Sequence, residues 1–160
     1  MATAPIRART IIVGETLTYV AIALFQALMI VLVGAVAFGV SWGNPLAAAV
    51  LIALWALVGA GAGMLAGTLF RTPEQATAIG PATGIALGML GGCMWPLAIV
   101  SPVMRSVGHI TPHAWAVDAW TALLSRGGTV ATIAPQLGVL AAFAAGLLVL
   151  ATARLRRVLV

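Results

Sequence analysis

The stretch HITPHAWAVDAWTALL, His109 to Leu124, concentrates the groups that could do chemistry. It holds both histidines, two of the five tryptophans and one of the three acids of the chain. His109 and His113 have the H-x-x-x-H spacing by which one helix offers two imidazoles to a zinc ion. That geometry needs both residues on one uninterrupted helix. Thr111-Pro112 intervenes. Thr is a good N-cap and Pro a good first helical residue, so a helix is predicted to begin at Pro112, with His109 outside it. A third ligand would have to be Asp118 or Cys93. No serine has a plausible nearby base and orienting acid for a hydrolase triad. Paired carboxylates would have to come from Glu15, Glu74 and Asp118, which are dispersed along the chain. No G-x-x-x-x-G-K-[ST] phosphate loop is present. The residues therefore point to no catalytic, cofactor or metal site, and driven work would need a partner's energy.

The elements that carry these residues lie in an apolar chain. Of 160 residues, 62% are hydrophobic and 7% charged. Soluble domains carry about 25% charged residues, so the expected solvent is lipid. The net charge is +5, all of it from arginine. The arginines sit at the ends of apolar runs rather than on one basic face, which reads as membrane topology and not as nucleic-acid binding. The single Cys93 allows no internal disulfide. Arg7 and Arg9 precede the first apolar run, but that run is ~25 residues long against ~7–15 for a signal peptide core. It is expected to stay as a span.

Four spans are predicted, at about 14–40, 46–70, 76–100 and 130–151, each near the ~20 residues needed to cross. They lack period-2 alternation, so helices are expected rather than barrel strands. An outer-face segment covers about 101–129, and a basic tail covers 152–160. Arg7, Arg9, Arg71, Arg154, Arg156 and Arg157 fall on one side of this bundle, and Arg105 and Arg126 on the other. The excess places both termini of a multi-pass cell-membrane protein in the cytoplasm.

Small residues recur at four-residue spacing: Gly59, Gly63 and Gly67 in the second run, Gly80, Gly84, Gly88 and Gly92 in the third, and Gly138, Ala142 and Gly146 in the fourth. Such ladders allow close helix approach, either within the chain or at a subunit or sliding interface. Pro81 and Pro96 interrupt the third run, which makes it the candidate pathway-lining helix. Gln26 is a polar side chain deep in the first run, a candidate for helix packing or for lining a pathway.

The helix opened by Thr111 and Pro112 is predicted to end at Arg126, before Gly127-Gly128. Its ~15 residues span ~22 Å, too short to cross. Val117, Trp120 and Leu124 form its expected apolar stripe, and Trp115 and Trp120 suit the headgroup boundary. This predicts a short helix lying at, or dipping into, the outer face, with the two histidines incidental.

Three segments, TAPIRARTIIVGETL, FRTPEQATAIGPATGIALGMLGGCMWP and ITPHAWAVDAWTALL, together resemble the membrane subunit of type-2 ABC transporters. These are the permeases of drug, polysaccharide and lipid exporters, and the drug-resistance branch is the nearest in character. The resemblance covers nearly the whole chain. It implies a partnership with a cytoplasmic ABC ATPase subunit and with a second permease subunit, as a homo- or heterodimer. It makes Pro5, Arg7 and Arg9 the end of an ATPase-docking loop, and residues 101–129 an outer helical element. The four runs correspond to the third to sixth helices of the family, and its amphipathic helix and first two spans have no counterpart. The expected fold is therefore all-α and integral to the membrane, with four transmembrane helices and a short interfacial or re-entrant helix before the last. The expected function is that of a permease subunit, or its C-terminal part, exporting a hydrophobic or amphipathic substrate. The alternative is a non-transporting four-helix membrane protein or a permease remnant.

Overall fold

In a computed structural model, residues 8–70 and 72–159 are described, with the side chains of 8–9, 11–12 and 156–159 excepted. Pro5 and Arg7 lie outside the described residues, as does the side chain of Arg9. The described chain is helical: α1 (Ala8–Phe38), α2 (Pro45–Leu69), α3 (Pro73–Leu90), a 3-10 turn (Leu97–Ile99), α4 (Pro102–Gly108), α5 (Pro112–Arg126) and α6 (Ala134–Leu159).

The helix starts share one local cause. Asn44-Pro45, Thr72-Pro73, Ser101-Pro102 and Thr111-Pro112 each set a capping residue in extended conformation before a proline. Proline lacks only a donor that the first turn leaves unused, and its φ suits the helix. The side chains of Asn44, Thr72 and Ser101 then accept from the amides of Ala47, Gln75 and Met104. Thr111 holds the cap position but uses its hydroxyl otherwise, donating to the Gly108 carbonyl at 2.9 Å.

Among the described residues, three stretches, Val13–Phe38, Pro45–Leu69 and Ala134–Leu155, are long and apolar enough to cross a membrane. The third expected span is corrected. Its helix stops at Leu90 instead of running to 100, and Gly91 to Pro96 form a turn before the 3-10 segment. Gly92 adopts φ +87°, which breaks the helix at a residue expected to lie on the third ladder. Pro96 lies outside the helix too, as the residue that opens the 3-10 turn. Pro81 alone of the two prolines is inside α3. At 18 residues, α3 is roughly 27 Å long, close to one hydrocarbon thickness.

The core lies where α2, α5 and α6 meet. Leu51 from α2, Leu123 from α5, and Ile133 and Leu140 on the approach to and within α6 are the largest fully buried side chains. α1, by contrast, has no buried residue in its apolar span. Leu17, Phe25 and Val36 are 69%, 64% and 79% exposed. An uncovered apolar helix of this length is stable only with lipid or other apolar helices around it. The chain is an all-α membrane protein.

Candidate functional site

The site is built around α5, which sits at the end of the bundle where α1 turns into α2. Its bounds follow the expected signals: Pro112 opens it, and Gly127, at φ +61°, closes it. Its packing face does not. Ala114, Ala116, Ala119, Ala122 and Leu123 are buried, whereas Leu124 of the expected stripe is 44% exposed. Alanine wins because its short side chain lets α5 lie close to α2 and α6, while Val117, Trp120 and Leu124 fall toward the rim.

Trp42, in the turn between α1 and α2, links three elements. Its Nε1 donates to the Val31 carbonyl of α1 at 3.0 Å. Its ring meets Trp120 of α5 edge to face, with centroids 5.6 Å apart. A Cβ on Gly34 would come within 2.6 Å of Trp42 Cζ2, so the bare glycine makes room for the indole. Two apolar clefts of about 280 and 590 Å³ open beside it, and Trp42, Val31 and Ile52 line both. Gly59 and Trp120 belong to the smaller.

The glycine ladders divide. Gly59, Gly63 and Gly67 meet nothing within 4 Å and face clefts on the α1 side, Gly63 and Gly67 beside Glu15 and Tyr19 in a further cavity of about 190 Å³. Close approach between α2 and α6 is made by Gly61 instead, where a Cβ would stand 2.9 Å from Leu147 Cβ and 3.2 Å from the Leu148 amide. In α3, Gly80 and Gly84 are likewise open. Gly88 is buried, with His113 and Cys93 beside it. The tightest junction is at Gly91, where a Cβ would lie 2.4 Å from His113 Cβ and 2.7 Å from Thr111 Oγ1. Gln26 is exposed on α1 and lines none of these clefts.

Both histidines make specific packing contacts. His109 Nε2 is 2.9 Å from Asp118 Oδ2, and Nδ1 is 2.8 Å from the Arg105 carbonyl. The Arg105 carbonyl is the main cause that raises its pKa, with Asp118 adding and burial opposing. His113 packs edge-on against Trp55, with centroids 5.0 Å apart. Its Nδ1 is buried and has no hydrogen-bond partner among the described residues, and burial lowers its pKa. Trp115 is tied to the same turn. Its Nε1 donates to the His109 carbonyl at 2.8 Å.

The model of the family described as "ABC-2 family transporter protein" matches residues 1–153. The chain belongs to the ABC-2 transporter family. It is 39% identical over 108 residues to the linearmycin resistance permease protein LnrN of Bacillus subtilis (strain 168). That alignment covers 68% of this chain and 28% of LnrN, so the chain matches less than a third of its relative's length. No solved structure matches the chain. The ABC-2 match takes in all the elements around α5, together with Pro5, Arg7 and Arg9. Within this family member, sequence reasoning missed Trp42, Gly34, Gly61 and the His109–Asp118 pair. A tryptophan in the short turn 39–44 between two apolar runs, and the only acid in 101–129, were the signals available.

Proposed function

We propose that this chain forms the membrane-spanning part, or the C-terminal portion, of the permease subunit of an ABC exporter. It moves a hydrophobic or amphipathic compound out of the cytoplasm. ATP is hydrolysed by a separate cytoplasmic ABC ATPase, and a second permease subunit, identical or not, completes the path. The match to the ABC-2 family over residues 1–153 carries this reading. The similarity to a resistance permease favours outward transport. The clefts beside Trp42 have apolar walls suited to such a compound.

In this reading the permease lies in the cell membrane with both termini in the cytoplasm, where Pro5, Arg7 and Arg9 meet the ATPase. The α5 end faces outward. Gly59, Gly63 and Gly67 line the α1 side of the path. The open faces of Gly80 and Gly84, with Pro81, Gly88, Gly92 and Pro96 of the irregular third run, and Gln26 on α1, serve the path or the second subunit. Thr111, Pro112, Trp115 and Trp120 fix the outer helix. The test is affinity purification of the tagged chain from membranes that also contain the ABC ATPase subunits of its own organism. One ATPase should co-purify, and reversing the charge of both Arg7 and Arg9 to Glu should weaken its retention. Recovery with no ATPase under any expression condition would overturn the reading.

A further inference from the structure

The short helix α4 is anchored only at its C-terminal end, where Gly108 is buried against Leu90 and Leu97. It has seven residues, far fewer than an isolated helix needs. Val103 and Met104 are exposed, at 75% and 46%. Its last turn ends on the His109 ring, and that ring has an oxygen acceptor at each nitrogen. Nδ1 faces the Arg105 carbonyl at 2.8 Å and Nε2 faces Asp118 Oδ2 at 2.9 Å. A neutral imidazole has one N–H and one lone pair, whereas the imidazolium has two N–H groups. Both contacts are hydrogen bonds only when the ring is protonated. The neutral ring must set a lone pair against an oxygen at one of the two. The Trp115 ring stands edge-on to His109 with centroids 5.1 Å apart, and its N–H holds the His109 carbonyl, which fixes the backbone that carries the ring.

We propose that His109 is a protonation-operated latch, closed by the imidazolium, that holds the last turn of α4 against α5.

Among the described residues, the charged and titratable groups facing the ring are Asp118 from α5 and Arg105 from α4. Asp118 and the Arg105 carbonyl favour the cation, while the Arg105 side chain and partial burial oppose it, and the balance raises the His109 pKa. The direction of the switch follows. A group whose folded pKa exceeds its unfolded value of about 6.5 stabilises in full below that value. The contribution is lost as pH rises through the raised folded pKa. The latch is therefore closed in acid and opens toward alkaline pH. Opening costs one of the two ring contacts, removes a cation from the C-terminal end of α4, and leaves Asp118 facing a neutral ring, while the Arg105 carbonyl keeps the His109 amide at 3.2 Å.

The test is electron paramagnetic resonance of a spin label at Val103→Cys in a Cys93→Ser background, with the chain in lipid nanodiscs. Label mobility is followed from about pH 5 to about pH 9, which brackets the ordinary histidine range. The label should be immobile in acid and gain mobility in one step. His109→Gln should abolish the step, and His113→Gln should leave it. Asp118→Asn should move it to lower pH, a shift that a misfolded sample would not produce. A parent chain with no step, or a step that survives His109→Gln, would overturn the proposal.

Discussion

Trp42 reaches back across the end of α1 to donate its indole N–H to the carbonyl of Val31, 3.0 Å away. One side chain thereby ties the α1–α2 turn to the helix before it, while the same ring rests on Trp120. The contact exists because Gly34 has no Cβ. Gly34→Ala would place a methyl 2.6 Å from a rigid ring atom. It should cost about 1–3 kcal/mol through overpacking and the displaced hydrogen bond. Thermal unfolding in detergent, with tryptophan emission as the probe, checks it. An unchanged midpoint and spectrum would show that Trp42 is not held by α1.

The glycines of α2 should separate by function. Gly61→Ala meets Leu147 and Leu148 and should cost about 1–3 kcal/mol by forcing α2 from α6. Gly63→Ala and Gly67→Ala meet nothing within 4 Å and should hold or slightly raise stability, since alanine is the better helix former. Paired midpoints for the three variants decide this. Equal losses at all three would mean that the ladder, and not Gly61, makes the contact.

The two histidines should respond in opposite ways to the same change. His113→Phe keeps the edge-on contact with Trp55 and removes an unpartnered buried nitrogen, so stability should stay within about 1 kcal/mol or rise. His109→Phe removes the ring contacts to Asp118 and to the Arg105 carbonyl, which keeps only the residue-109 amide, and should cost about 1–3 kcal/mol below neutral pH. That loss should shrink as pH rises, because the His109 contribution is itself lost on deprotonation. Midpoints at two pH values give the sign of both effects.

Much of this arrangement is legible in the residues because it is set by local rules. Thr111-Pro112 and Gly127 bound α5 where turn chemistry places them. The same capping logic applies at Asn44-Pro45, Thr72-Pro73 and Ser101-Pro102, and it would have marked the starts of α2, α3 and α4 as well. The end of α3 was hidden because Gly91 to Pro96 continue a run of apolar and small residues. Hydropathy has no term for a positive φ at Gly92. Four-residue spacing marked Gly59, Gly63 and Gly67, yet which glycine faces a neighbouring backbone depends on helix rotation, a tertiary property. The His109–Asp118 pair crosses a helix boundary over nine residues, so no single periodicity reports it. Alanines made the buried face of α5, and a search for large apolar side chains passes over them.

The cleft beside Trp42 should matter to transport and not to folding. Gly59→Leu projects into open space and fills part of the smaller cleft. Stability should be close to that of the parent, while export of a bulky apolar compound should fall by roughly tenfold, equivalent to ~1.4 kcal/mol of lost interaction. Resistance of cells carrying each variant, read beside membrane expression levels, checks it. Undiminished resistance at equal expression would remove this cleft from the path.

The central claim is that the chain is a working part of an ATP-driven exporter, and ATP-dependent transport tests it most directly. Inside-out membrane vesicles containing the chain and its ABC ATPase would be incubated with a lipophilic fluorescent dye in the outer medium. Uptake into the vesicle lumen should require ATP, stop with vanadate, and disappear when the chain is omitted. Uptake that is the same with and without the chain, although the ATPase is present and active, would contradict the account.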